Sequence, residues 1–178
     1  MGRKKTFGDF TCSIARTLDV VGDRWTLLVL RDVFVGINRF DEIQRDLGIA
    51  RNVLAERLES LVRDGVLERR AYQERPPRHE YMLTQKGKDL QSVLLAMVAW
   101  GDRWQGAKEG PPVRLRHETC STDTRAVIVC SSCGMPLSPG EVTARGGPGG
   151  RVGAGTQVIG ELLAAGPRRL AVPGASQS

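Results

Sequence analysis

The residues with the most definite chemistry are His117, Cys120, Cys130 and Cys133, in the stretch HETCSTDTRAVIVCSSCG. They are spaced as His-x2-Cys, nine residues, then Cys-x-x-Cys-Gly. Thiolates and a neutral imidazole are zinc donors, and four of them complete a tetrahedral set with three sulfurs and one nitrogen. In a Cys-x-x-Cys-Gly knuckle the glycine lets backbone N–H groups turn towards sulfur. The spacing predicts a structural zinc, because four protein ligands leave no open position for catalysis. Two other readings of these residues stay open: a redox dithiol, and a metal-free ribbon with His117 merely on its surface. Cys12 stands apart, at the start of an expected helix with Arg16 one turn on. A helix N-terminus and a nearby cation both favour the thiolate. The plainer reading is a small buried apolar side chain.

A second concentration of chemistry is cationic. In GVLERRAYQERPPRHEYMLT, the residues Arg69, Arg70, Arg75 and Arg78 fall within ten positions. Guanidinium groups on a protruding ribbon suit phosphate oxygens or a narrow minor groove. Glu68, Glu74 and Glu80 offset part of this charge, so a solvated edge hairpin is the alternative. The chain as a whole carries 26 Lys+Arg against 20 Asp+Glu, a net charge of +6. That excess is in keeping with a polyanionic partner. Enzyme chemistry finds little support. There are two histidines, one already placed in the zinc spacing, and no glycine-rich phosphate loop follows a strand.

These side chains need elements to position them. CSIARTLDVVG reads as a helix with Ile14, Leu18 and Val21 on one face, stopped by Gly22. RWTLLVLRDVFVG is apolar almost all round and reads as a buried central helix. Asn38 can cap a third helix, RFDEIQRDLG, with Phe40, Ile43 and Leu47 as its stripe. RNVLAERLESLVRDG follows after a few residues, with Leu54, Leu58, Leu61 and Val62 as its core face and Gly65 as its stop. Two helices joined by a tight glycine turn have helix-turn-helix spacing. VLERRAY and HEYMLT then alternate so that Leu67, Tyr81 and Leu83 face inward. Pro76 and Pro77 cannot donate ladder hydrogen bonds and belong in the tip. A helix-turn-helix followed by a hairpin with a cationic tip is a winged helix. Residues 85–104 read as one long helix capped by Thr84. It has one stripe of Leu90, Leu94, Met97 and Trp104 and a second of Val93, Ala96 and Trp100. One domain cannot easily cover both, so the extra face is expected to pair with a second copy; burial under the chain's own tail is the alternative.

The order of these segments resembles that of HxlR-type winged helix-turn-helix regulators. The resemblance spans about residues 12–104 and runs through the Cys-x-I-A-R entry, the DRWTLLVLRD helix, the RFDEI segment, the recognition unit LAERLESLVRDGVLERR and the wing exit YMLTQKG. It implies a dimeric DNA-binding transcriptional regulator, often a repressor. In some such regulators a cysteine at the position of Cys12 senses oxidants or electrophiles, which makes that role an alternative here. One position departs: family members usually carry Ser at the N-cap of the recognition helix, where this chain reads GIARN. Losing such a cap costs about 1 kcal/mol unless another residue takes its place. Because winged helices also mediate protein contacts, a protein-interaction module is a further alternative.

The expected fold is therefore mainly α (α+β). A winged helix-turn-helix with a two-stranded wing and a long dimerisation helix is followed by a small β ribbon and a disordered tail. Residues 1–11 form a basic N-terminus, 12–108 the DNA-binding and dimerisation domain, 109–143 the Cys/His ribbon and 144–178 a Gly/Ala/Pro-rich tail. Within that tail TQVIGELLAA makes at most a short helix. The recognition helix, about 51–64, points Arg51, Asn52, Ala55 and Glu56 outward into the major groove. Asn52 can pair with adenine and Arg51 with guanine or a phosphate. Arg57, at the edge of the stripe, either packs or reaches the DNA backbone. Arg39 and the wing residues Arg69, Arg75 and Arg78 complete the expected contact set on double-stranded DNA. The longest apolar run, VLLAMVAW, has eight residues, too few for a membrane span. The first residues match the loose myristoylation pattern M-G-x-x-x-T but carry no secretory h-region, so a cytoplasmic protein is expected.

Overall fold

The computed structural model describes residues 6–106 and 108–170. The acylation pattern at Gly2 and the end of the expected tail, residues 171–178, lie outside them. The chain divides into two compact bodies, residues 20–127 and residues 1–19 with 128–178. Helix α1 (Ser13–Val21) runs across that division.

The first body continues with α2 (Arg24–Phe34), α3 (Phe40–Leu47) and α4 (Arg51–Arg63). A hairpin of β1 (Leu67–Gln73) and β2 (Arg78–Leu83) follows, then α5 (Gln85–Asp89), α6 (Gln91–Trp104) and a short hairpin of β3 (Leu115–His117) and β4 (Thr122–Thr124). Several helix ends have a local cause. Asp23 caps α2 by accepting the Trp25 N–H at 2.9 Å. Gly48 closes α3 in the left-handed region at φ 60, where a Cβ would be penalised. Helix α4 ends in a Schellman turn: Gly65 N–H donates to the Val62 carbonyl and Val66 N–H to the Leu61 carbonyl. Val66 then enters the core directly beneath that turn.

The core is formed where α2, α3, α4 and the base of the hairpin meet. Val29, Leu30, Ile43, Leu54, Leu58, Leu61, Val66 and Leu67 are fully or almost fully buried, with Tyr81 and Leu83 packed against them. The winged helix-turn-helix expected from periodicity is thus the observed architecture.

Two local expectations need correction. Asn38 does not cap α3: the N-cap is Arg39, with no side-chain cap bond. The Asn38 carbonyl instead accepts the Tyr81 N–H at 2.8 Å, its side-chain amide contacts the Met82 sulfur, and the Arg39 backbone forms an isolated antiparallel β-bridge with that of Glu80. The chain before α3 is drawn alongside β2, which fastens the wing to the helix-turn-helix. The single helix over 85–104 is instead two. At Leu90 the backbone N–H bonds the Gly87 carbonyl three residues back, at 3.1 Å. The first turn is pinned from outside, since a Cβ on Gly87 would lie 2.3 Å from the Val66 carbonyl oxygen. Thr84 Oγ1 accepts the Gly87 N–H and donates to the Gly65 carbonyl, while Lys86 Nζ donates to the Asp64 carbonyl. With α5 held this way, Leu90 serves as both the C-cap of α5 and the N-cap of α6.

The second body is different in kind. Among its described residues only Ala15 and Thr156 are buried. It contains β5 (Thr143–Ala144) paired antiparallel with β6 (Arg168–Arg169), and α7 (Gln157–Ala164), which lies in the TQVIGELLAA segment. Phe7 N–H donates to both Asp19 carboxylate oxygens at 2.9 Å. Among the described residues no helix is long and apolar enough to cross a membrane.

Candidate nucleic-acid interface

The buried side of α4, set by Leu54, Leu58 and Leu61, leaves Arg51, Asn52 and Glu56 exposed and Ala55 half-buried at its N-terminal end. The N-cap is Ala50 and makes no side-chain cap bond, so nothing replaces the missing serine. The first turn keeps N–H groups free of any side-chain acceptor from the cap position. Asn52 stands at the end of the helix that a helix-turn-helix leads into the major groove.

Beside it lies a cationic cleft of about 330 Å³ between the starts of α3 and α4 and the wing. Arg39, Arg51, Arg78 and His79 line it, together with Asp41, Tyr72 and the proline tip. Two guanidiniums rest on aromatic faces. The Arg39 Cζ lies 4.4 Å from the Tyr72 ring centre and the Arg51 Cζ 4.7 Å from that of Phe40. Stacking engages the faces of these guanidiniums and not their N–H edges. Tyr72 reaches Arg39 because the hairpin register shifts between Ala71 and Gln73, leaving Tyr72 without a cross-strand partner. A bulge of this kind re-aims a side chain. The aromatic platforms are absent from the sequence-level contact set. Neither had a local signal: Arg51 meets Phe40 across the helix-turn-helix, and Tyr72 reaches Arg39 only through the bulge.

Arg69, Arg75 and Arg78 are exposed on the wing. The arginines there are only weakly engaged: Arg70 Nε lies 3.9 Å from Glu80 with its side chain mostly exposed. Arg51 is 3.5 Å from Asp41 in an equally open pair, a contact worth little in water and easily exchanged.

Arg57 takes the packing alternative. Its side chain is 9% exposed, is 3.5 Å from Asp23, contacts Glu56, and its Nε has no partner. It fastens α4 to the N-cap of α2 and is not placed to meet a phosphate. A second buried charge escaped the sequence reading altogether. Asp32, on α2, is enclosed, with Arg31 Nε donating to it at 2.9 Å and Arg31 also paired to Asp46 at 2.7 Å. Burial raises its pKa above the ordinary carboxylate value, and the Arg31 hydrogen bonds offset only part of that rise.

The face expected at a dimer interface is split. Leu90 and Leu94 pack against the core of their own domain, so they do not belong to an open surface. Val93, Met97, Trp100 and Trp104 are exposed along α6, Trp100 by 60%.

Each half of the Cys/His set forms a local structure. In the first body, His117 Nδ1 and Cys120 Sγ are 3.4 Å apart at the β3–β4 turn. In the second, the Cys130 carbonyl accepts the Gly134 N–H and the Cys130 N–H donates to Met135. The backbone N–H groups of Cys133 and Ser132 lower the Cys130 thiol pKa. Each pair has zinc-donor chemistry. Among the described residues no three or more His, Cys, Asp or Glu side chains cluster as a metal site.

The model of the HxlR-like helix-turn-helix family matches residues 20–109. The chain belongs to that family. It is 43% identical over 137 residues to Rv3095 of Mycobacterium tuberculosis, named an uncharacterized HTH-type transcriptional regulator, covering 77% of this chain and 87% of the relative. YdeP of Bacillus subtilis, named likewise, is 36% identical over 95 residues, 53% of this chain and 74% of the relative. Among solved structures, the candidate transcription factor PA1607 superposes with a TM-score of 0.65 at 38% identity, covering 74% of this chain and 92% of that one. PA1374 of Pseudomonas aeruginosa, of the same description, gives 0.56 at 40% identity, covering 85% and 100%. The protein is accordingly an HxlR-like winged-helix transcriptional regulator.

Proposed function

We infer that this HxlR-like regulator is a sequence-specific repressor that binds double-stranded DNA as a cytoplasmic homodimer. In this reading α4 is the base reader and the wing a backbone clamp. The observation that carries it is the cationic cleft, where stacked Arg39 and Arg51 face the wing beside an exposed Asn52. Such a cleft suits a phosphate flanking a major groove entered by α4. The exposed Val93, Met97, Trp100 and Trp104 support a second copy against α6, which would space two α4 helices about one helical turn apart.

The test is binding to DNA selected from random duplexes, compared with unrelated duplex across a salt series. Asn52→Ala is expected to narrow the ratio between the two. Arg78→Ala is expected to weaken both alike and to reduce the salt slope by about one phosphate contact. Equal losses on both DNAs for both variants would overturn the division of labour. A duplex that never shifts would favour the protein-interaction reading. Trp100→Glu is expected to yield monomers by light scattering.

For the Cys/His residues the proposal is a structural zinc, supported by the spacing of His117, Cys120, Cys130 and Cys133 and by the local geometry of each pair. Zinc bound there would hold the ribbon closed without chemistry of its own. Elemental analysis of untagged, reduced protein is expected to find one zinc per chain, and Cys133→Ser is expected to lose it. Cys12 as a redox sensor has less support, since its thiol is half-buried and carries no charged partner among the hydrogen bonds described.

A further inference from the structure

The second body contains a cavity of about 540 Å³ that the DNA-binding reading does not use. Its walls come from the start of α1, the glycine-rich loop before α7, and α7 itself. None of these residues falls within the family-matched segment 20–109. Its size is in the range of small-molecule sites.

The cavity has two structural causes. Gly146, Gly147 and Gly150 line one side without side chains, so the loop leaves space that it cannot fill. On the other side, α7 is held close by contacts that tolerate no Cβ. One on Gly155 would lie 2.0 Å from the Phe10 ring, and one on Gly160 would lie 3.0 Å from the Val152 Cα.

The lining defines the ligand. The hydroxyls of Thr11 and Thr156 bond each other at 2.9 Å, and both lie 3.1 Å from the Arg151 carbonyl oxygen. These polar groups are already paired and ask nothing of an occupant. The remaining walls are mainly aliphatic, from Ile14, Val152, Ile159 and Leu163, with Cys12, Ser13 and Arg151 beside them and Ile159 54% exposed. Burying such side chains is favourable in proportion to the area covered.

We propose that this cavity is a binding site for a neutral, predominantly apolar small molecule. The cavity shares no lining residue with the cationic cleft or with the Cys/His set. Because its body has almost no buried apolar core of its own, an occupant supplies contacts that the chain lacks.

The probe is N-phenyl-1-naphthylamine, a neutral apolar fluorophore, titrated into the full-length protein. Saturable binding with one site per chain is expected. Ile159→Glu places a charge in the wall at an exposed position and is expected to weaken binding at least tenfold. Val35→Glu, at an exposed position in the other body, is expected to leave it unchanged. A second measurement does not depend on any variant. Cys12 lines the cavity, so the bound probe is expected to slow its alkylation by iodoacetamide severalfold. Exposed Cys120 and Cys133 should react at the same rate with or without it. Absence of saturable binding overturns the proposal. So does binding lost in Val35→Glu but kept in Ile159→Glu, or alkylation of Cys12 that the probe does not slow.

Discussion

The two bodies of this chain handle their apolar residues in opposite ways. Residues 20–127 bury an aliphatic set from Val21 to Leu67 around which three helices and a hairpin close. In residues 1–19 with 128–178, Ala15 is the one apolar residue buried among those described, while Val127's neighbour Ile128, and Val158 and Ile159, remain largely exposed. The first body is a rigid support that can hold Asn52 and the arginines at fixed spacing for a periodic polymer. The second is held by short backbone bonds, glycine contacts and a paired threonine couple. Stability of that kind is easily shifted by a ligand or a metal, because whatever binds the folded form adds directly to a small total.

The contrast can be broken first at the core. Leu58→Ala removes a fully buried side chain, and such truncations cost about 2–5 kcal/mol. Urea unfolding followed by tryptophan fluorescence reports on this body, because Trp25, Trp100 and Trp104 all lie in it. A loss well under 1 kcal/mol would mean that the core does not carry the stability assigned to it.

A smaller effect is expected at the paired threonines. Thr156→Ala removes one hydroxyl of the bonded couple and is expected to cost about 1 kcal/mol. The loss should fall on the second body alone, so hydrogen exchange should quicken at 128–170 and stay unchanged in α2 and α4. Equal acceleration in both would show that the two bodies unfold as one.

The smallest effect concerns Asp32. Its folded pKa is raised by burial, so the native state takes up a proton at a higher pH than the unfolded chain does. Its contribution to stability therefore grows as pH falls through the folded value, and is complete below the unfolded value of 3.8. Measured against Asp32→Asn, which cannot titrate, the wild type is expected to gain relative stability between neutral pH and pH 4. A constant difference across that range would show that Asp32 stays ionised in the fold.

The fold of the first body was legible because its signals are local. Helix stripes at Leu54, Leu58 and Leu61, stops at Gly22, Gly48 and Gly65, and the alternation around Pro76 and Pro77 each depend on a few neighbouring residues. They also agree with one another. The site was less legible. Arg57 and Arg51 are the same residue type on the same helix, one buried against Asp23 and the other stacked on Phe40. Asn38 has the chemistry of a cap, yet its carbonyl is bonded to Tyr81, far along the chain on the wing.

The amino-acid sequence alone determined which segments are helical, where the hairpin turns and which side chains carry positive charge. Periodicity, capping and turn chemistry act over a single turn of chain. Only the tertiary structure decided which arginines remain available, that Tyr72 swings beneath Arg39, that Gly87 must lack a side chain against Val66, and that glycines around α7 leave an apolar cavity. Those outcomes depend on what comes to lie opposite each residue, and that is set by packing between segments distant in the chain.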